Sequence, residues 1–297
     1  MRIGTRGSAL ARAQARLVAG WLGDAEIVVI QVSGDGDASG GEKSRWVAEL
    51  EQALLAGEID LAVHSAKDVP GEPVDGLELL GAPARARAED ALIGAGSIEE
   101  LPVGARVGTS SVRRAAQLLA ARENLEVVSL RGNVDTRLRK LAEEQLDAIV
   151  LASAGLQRLG REDEIGAALD IERFVPAPGQ GTLALQSRAE DAAVADAVAP
   201  ILDRDAGACL SAERALARAL SASCNTPLGA YAVADGRDGL KLRAWVGMPD
   251  GSEWLQDELP GDFHDPEELG RRVAERLLAT GAGELLARAR ETAVEQA

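Results

Sequence analysis

One stretch constrains the fold of this chain most: a short apolar run that breaks abruptly into polar residues. Residues 59–70 read IDLAVHSAKDVP. Ile59, Leu61, Ala62 and Val63 make a run led by Asp60, too short for a helix of its own and read as a buried strand. His64, Ser65, Lys67 and Asp68 then fall within five residues, and Pro70 ends the segment. A strand whose C-terminal end turns polar is where open α/β sheets place their ligands. Asp68 beside Lys67 couples a candidate general acid or base to a fixed positive charge. The same residues also fit a loop with a solvated ion pair.

Strand and helix alternate on either side of this stretch. Residues 1–4 read as a strand running into Thr5-Arg6-Gly7-Ser8, with Ser8 as N-cap of a helix to about Leu22. Residues 26–32 hold a continuous apolar run, which suits a parallel strand covered on both faces. Residues 33–44, SGDGDASGGEKS, are too rich in Gly, Ser and Asp to pack a core and read as a mobile loop or lid before a helix over 45–55. This alternation marks a wound α/β domain.

A second α/β set begins near Ala91. A strand at 105–108 leads into Thr109-Ser110-Ser111-Val112-Arg113-Arg114 and a helix. A strand at 125–130 leads into Arg131-Gly132-Asn133-Val134-Asp135-Thr136-Arg137 and another. A strand at 147–152 leads to a helix containing Arg158. The free N–H groups of helix starts bind anions, and arginine forks grip carboxylates or phosphates through paired hydrogen bonds. Two such turns, facing Arg6 and Lys67 from the other set, imply a cleft that collects several negative groups. Arg122, Arg139 and Arg161 instead fit helix-surface arginines paired with nearby Glu.

The segment FVPAPGQG at 174–181 marks a crossing or hinge, and residues 182–186 read as a strand returning to the first domain. After a long helix over 206–222, Cys224 falls in a loop that Pro227 keeps from continuing the helix. Strands at 230–234, 240–246 and 253–259 and helices at 266–279 and 282–293 make a small α+β unit. The expected domains are 1–84 with 182–200, 88–178 and 204–297.

The formal net charge is -16, from 48 acidic and 32 basic side chains, which argues against a general nucleic-acid binder. The acidic surplus, with lysine only at 43, 67, 140 and 241, fits adaptation to high salt. A GC-rich genome gives a similar bias toward Arg and Ala. The N-terminus lacks an apolar region of signal-peptide length and no stretch has the length of a membrane span, so a cytoplasmic protein without membrane contact is expected. The cysteines, Cys209 and Cys224, do not form a disulfide framework in that compartment. Cys209 sits in an apolar helical pattern as a core residue, and a loop thiol such as Cys224 is either a free structural cysteine or a nucleophile. His64 and His264 lack metal-ligand spacing, so no metal site is expected.

The accumulated segments RIGTRGSALA, AVHSAKDVP, VGTSSVRRAAQL, LRGNVDTRL, LASAGLQRLG, PAPGQG and AERALARALSASCNTPLGAYA run the length of the chain. In that order they resemble the porphobilinogen deaminase (hydroxymethylbilane synthase) family. The resemblance implies two similar domains like those of periplasmic binding proteins around a cleft, with a small third α+β domain. It implies a dipyrromethane cofactor held by a thioether to Cys224. Four porphobilinogen units are added to it, each with loss of ammonia, and hydroxymethylbilane is released by hydrolysis. Asp68 matches the catalytic aspartate. Arg6, Arg113, Arg114, Arg131, Arg137 and Arg158 gather the carboxylates of a growing chain. Ser8, Lys67, Thr109, Ser110 and Ser111 match positions that hold cofactor or substrate, with Gly132, Asn133 and Gln180 inside the matching motifs and Lys43 near the end of the lid. A monomer is expected. Three departures stand out: Ala222-Ser223 replaces the usual Gly-Gly before the cysteine, the lid is shorter, and Trp46 stands where Phe is common. The rival readings are a non-catalytic two-lobed anion-binding module and a degenerate paralogue without the cofactor.

Overall fold

The computed structural model describes residues 1–31, 43–72, 74–223 and 225–295. The first lobe opens with β1 (Arg2–Thr5), α1 (Ala9–Leu22), β2 (Glu26–Val29), α2 (Lys43–Leu55), β3 (Leu61–Ser65) and β4 (Leu77–Gly81). The second holds β5 (Asp90–Ile93), β6 (Arg106–Gly108), α3 (Val112–Ala121), β7 (Glu126–Val128), α4 (Val134–Glu143), β8 (Ala148–Ala152), α5 (Ser153–Arg158) and β9 (Ala167–Ala168). The chain then returns through β10 (Leu183–Arg188) and α6 (Ala192–Val198). The C-terminal unit consists of α7 (Arg204–Ala219), β11 (Leu228–Asp235), β12 (Gly239–Gly247), β13 (Trp254–Asp262), α8 (Pro266–Ala279) and α9 (Ala282–Glu295).

The two lobes share one plan. The first sheet has the order β2-β1-β3-β10-β4 and the second β7-β6-β8-β5-β9. In each, three strands run parallel, and the fourth, β10 or β5, lies antiparallel to the third. That fourth strand is the one delivered by a crossing segment: 82–89 leads into β5, and 169–182 leads into β10. The expected returning strand is therefore present, and it turns a wound parallel sheet into a mixed one. β2 differs from expectation. It is an edge strand paired only with β1, so its apolar run is half-exposed, with Val29 43% accessible, rather than covered on both faces. The C-terminal unit packs α7, α8 and α9 on the antiparallel β11-β12-β13 sheet over a core that includes Leu216, Leu242, Phe263 and Val273. Cys209 belongs to that core, and burial pushes its thiol up to about 12.

One buried carboxylate joins all three units. Glu213 of α7 is fully inaccessible. It accepts from Arg85 Nη1 at 2.7 Å, from the Gly179 N–H at 2.6 Å and from the Ala232 N–H at 2.7 Å. Arg85 and Gly179 lie on the two crossing segments, and Ala232 lies on β11. Gly179 has φ +74, and a Cβ there would come within 3.1 Å of the Ala66 carbonyl carbon and the Lys67 nitrogen, so the crossing runs directly against the turn that follows β3. A second buried chain links β3, β10 and α2: His64 Nε2 meets Gln186 Oε1 at 3.0 Å, and Gln186 Nε2 donates to Glu51 Oε1 at 3.1 Å. Burial pushes His64 down to about 4, against the raising effect of its bond to Gln186.

Both arrangements have measurable consequences. Glu213→Gln removes the charge facing a buried guanidinium, and an uncompensated buried charge costs about 3–5 kcal/mol. Its urea unfolding midpoint is expected to fall clearly, and a wild-type midpoint contradicts the role given to the carboxylate. His64 is held neutral in the fold, so the unfolded chain binds the extra proton between pH 6.5 and about 4. Its contribution is complete above pH 6.5 and is lost as pH falls toward 4, amounting to about 3 kcal/mol. His64→Gln is expected to flatten the stability profile across that window, and an unchanged acid limb contradicts the neutral buried imidazole.

Candidate active site

The polar residues that end β3 are fixed from behind. After β3 the chain makes a single 3₁₀ turn, Ala66–Asp68. The Ala66 N–H donates to the Thr182 carbonyl at 3.0 Å, and Lys67 Nζ donates to Gln180 Oε1 at 3.3 Å. Arg214 of α7 donates to the carbonyls of Val69 and Pro70. Asp68 thus stands at the C-terminal end of a buried strand, braced by both the crossing segment and the C-terminal unit. Arg6, Trp46, His64, Ser65 and Asp68 line a pocket of about 30 Å³. The Arg6 guanidinium lies 3.7 Å from the centre of the Trp46 ring, a cation–π stack across the pocket. Gln14 Nε2 donates to Ser65 Oγ at 2.8 Å and ties α1 to the same strand end.

Several expected binding residues also build the turns. Ser8 caps α1, Ser111 caps α3 and Asn133 caps α4, each accepting from a backbone N–H of the first helical turn. Thr109 is buried, and its Oγ1 accepts from the Ser111 N–H at 3.2 Å. Ser110 is exposed, with its Oγ 3.4 Å from Ser129 Oγ. Gly132 has φ +121, and a Cβ there would sit 2.7 Å from Thr136 Cγ2, so this turn requires glycine.

The arginines divide into three environments. Arg113 and Arg114 are 4% and 7% accessible and point inward, where each reaches Asp90 at 2.8 Å. Arg113 also donates to the Val175 carbonyl, and Arg114 to the Val150 carbonyl. Burial alone would raise the Asp90 carboxyl, but the two guanidiniums hold it well below the usual carboxylate range. Gln180 closes this cluster: its Nε2 donates to Asp90 Oδ1 at 2.8 Å, and its Oε1 accepts from both Arg114 and Lys67. Arg137 and Arg158 form the second class. Each is largely buried yet held through a backbone carbonyl, Arg137 Nε on Gly132 and Arg158 Nη2 on Gly181, both at 2.7 Å. Burial pushes both down to about 10, with Arg114 adding to the effect at Arg137. Desolvated guanidiniums without a carboxylate in ion-pair range, among the described residues, are fitted to anionic ligands. Arg131 is exposed at the mouth of the same turn.

The surface arginines follow expectation in part. Arg139 pairs with Glu143, and Arg161 with Asp135 and Glu164. Arg122 instead donates to Asn124 and to the Ile98 carbonyl. Lys43 opens α2, and its side chain lies outside the description. Residues 32–42, most of the expected lid, and Cys224 lie outside the described residues. On either side of Cys224, the Ser223 N–H donates to Thr226 Oγ1 at 2.8 Å and the Asn225 N–H to Ser223 Oγ at 3.3 Å.

Sequence reading missed Asp90, Arg85 and Glu213. Glu213 left a trace, since it lies on the apolar face of α7 with Leu210 and Leu216. Asp90, the acidic start of a buried strand, was a similar anomaly.

Comparison with known proteins agrees with this geometry. Residues 1–196 match the family description "Porphobilinogen deaminase, dipyromethane cofactor binding domain", and residues 208–279 match "Porphobilinogen deaminase, C-terminal domain". The porphobilinogen deaminase of Pelobacter propionicus is 43% identical, over 96% of this chain and 96% of its own length. That of Xanthomonas oryzae pv. oryzae is 45% identical, over 97% and 98%. That of Thiobacillus denitrificans is 49% identical, over 83% and 81%. Among solved structures, the methionine-binding protein MetQ is similar at 17% identity and a TM-score of 0.41, over 68% of this chain and 88% of that one. With two family descriptions covering both lobes and the C-terminal unit, and relatives above 40% identity along nearly the whole length, the chain belongs to the porphobilinogen deaminase family.

Proposed function

We propose that Asp68 is the catalytic carboxylate of this deaminase, that Cys224 is its cofactor-attachment residue, and that Arg137 and Arg158 are the principal carboxylate holders of its cleft. The family's reaction condenses four porphobilinogen molecules, with loss of ammonia, to give hydroxymethylbilane in tetrapyrrole biosynthesis. The dipyrromethane group, when bound, supplies the free pyrrole carbon at which the chain grows. Its acetate and propionate groups fit the donor set: two largely buried guanidiniums whose remaining N–H groups have no carboxylate partner among the described residues. Arg131, Ser110, and the helix starts capped by Ser8, Ser111 and Asn133 add further donors.

The single observation that carries this reading is the bracing of Asp68. The turn that bears it is fixed by Thr182, Gln180, Gly179 and Arg214, so the carboxylate stays at the end of β3, with Arg6 lining the same pocket. There it accepts a hydrogen bond from a pyrrole N–H, stabilises positive charge on the ring as ammonia leaves, and takes up the proton released when aromaticity returns. Arg113 and Arg114 serve this site differently. Paired with Asp90, they shape the second lobe and hold Gln180 against Lys67, which makes them positioning residues in this state of the cleft. A two-lobed binding module needs neither the braced carboxylate nor the cysteine.

The division into domains 1–84 with 182–200, 88–178 and 204–297 is supported by three separate sheets. A monomer suffices, because the proposed groups come from one chain. A thiol that must stay free for thioether formation suits the reducing cytoplasm. No helix among the described residues is long and apolar enough to cross a membrane.

Asp68→Asn is expected to lower porphobilinogen turnover by about 100-fold or more, the scale of lost general acid–base catalysis, with an unchanged unfolding midpoint. A near-normal rate removes Asp68 from this role. Arg137→Leu is expected to stall chain growth, seen as partly elongated enzyme by mass, and normal steady-state kinetics remove Arg137 from the cleft assignment.

A further inference from the structure

The largest cavity near the cleft is not the one beside Asp68. It has a volume of about 420 Å³ and is lined by Arg12, Arg16, Arg158 and the backbone around Gly7 and Ala9. That size lies within the range of small-molecule sites. Its walls come from both lobes. Arg12 and Arg16 are four residues apart, on one face of α1, while Arg158 ends α5. The two helices touch beside it, where a Cβ on Gly155 would meet Leu10 Cδ2 at 3.7 Å. The cavity begins at Gly7, between Arg6 and Ser8, and so opens from the edge of the active site.

Its charge is unbalanced. The chain has 48 acidic residues, and Arg2, Arg85, Arg106, Arg139, Arg161 and Arg173 each reach a carboxylate. Arg12 and Arg16 reach none among the described residues, and no acidic side chain lines the cavity. Arg158 engages only the Gly181 carbonyl, which leaves the rest of its fork available. Two like charges one helical turn apart repel each other, and a third from the facing lobe adds to that repulsion. An anion bound among them relieves it, and three forked donors suit a carboxylate.

We propose that Arg12 and Arg16, together with Arg158, form an outer carboxylate subsite that takes the acetate or propionate of a pyrrole unit at the mouth of the cleft. The inference rests on the porphobilinogen reading. The pyrrole belongs either to an arriving monomer or to the growing chain as it lengthens past the inner arginines.

The test compares wild-type enzyme with the Arg12→Gln/Arg16→Gln variant, using porphobilinogen as the probe. Steady-state kinetics are measured together with the mass distribution of enzyme-bound chains after limited substrate. Capture of the monomer predicts a KM raised about tenfold with kcat unchanged. Support of the growing chain predicts a lower kcat and a pile-up at one of the later chain lengths. Unchanged KM, kcat and mass distribution overturn the subsite. Both positions are exposed, so the unfolding midpoint is expected to stay level or rise as the repulsion is removed. A fall in midpoint with unchanged kinetics assigns the arginines to structure alone and overturns the proposal. Wild-type enzyme that neither turns over porphobilinogen nor carries elongated chains contradicts the underlying reading, and the subsite with it.

Discussion

The buried contact between Glu213 and the two crossing segments is the constraint on which the rest of the structure depends. A carboxylate with no accessible surface persists only where its charge and lone pairs are fully matched. Here the match is made by Arg85, Gly179 and Ala232, one partner from each crossing and one from the C-terminal sheet. The crossings cannot shift far without unpairing the charge. Gly179 abuts the 3₁₀ turn and Gln180 binds Lys67, so the position of Asp68 is set from the same place. The C-terminal unit therefore has a structural task beyond carrying Cys224: it clamps the hinge against which the lobes are arranged.

The distribution of charge follows a related logic. A chain with net charge -16 still presents a cationic cleft because two arginines are held where acids do not reach them. Arg113 and Arg114 are already neutralised by Asp90, which makes them part of the frame. Arg137 and Arg158 are desolvated and anchored only through carbonyls, and so carry most of the unspent field. This division concentrates ligand affinity on a few guanidiniums and leaves the others to hold the second lobe to Gln180.

Much of this was legible in the sequence, for physical reasons. Each strand-to-helix turn carries its own local signature, so Ser8, Ser111 and Asn133 as caps and Asp68 at a strand end follow from neighbours a few residues away. The return of the chain into the first sheet was marked by FVPAPGQG. What was not legible depends on distant pairing. Arg113 and Arg114 read as cleft residues because Asp90 lies more than twenty residues away and meets them only when β5 crosses into the second sheet. The run after Glu26 read as a covered strand because nothing local says that β2 is an edge. The role of Cys224 came from family resemblance alone, since a loop thiol has no spacing signature.

The measurement that tests the central claim most directly is the intact mass of the purified protein and of its Cys224→Ser variant, before and after incubation with porphobilinogen. A covalent dipyrromethane at Cys224 predicts an excess equal to two linked pyrrole units in the wild type, further additions of single pyrrole units with substrate, and neither in the variant. A wild-type mass that equals the bare sequence and stays there after incubation with porphobilinogen contradicts it.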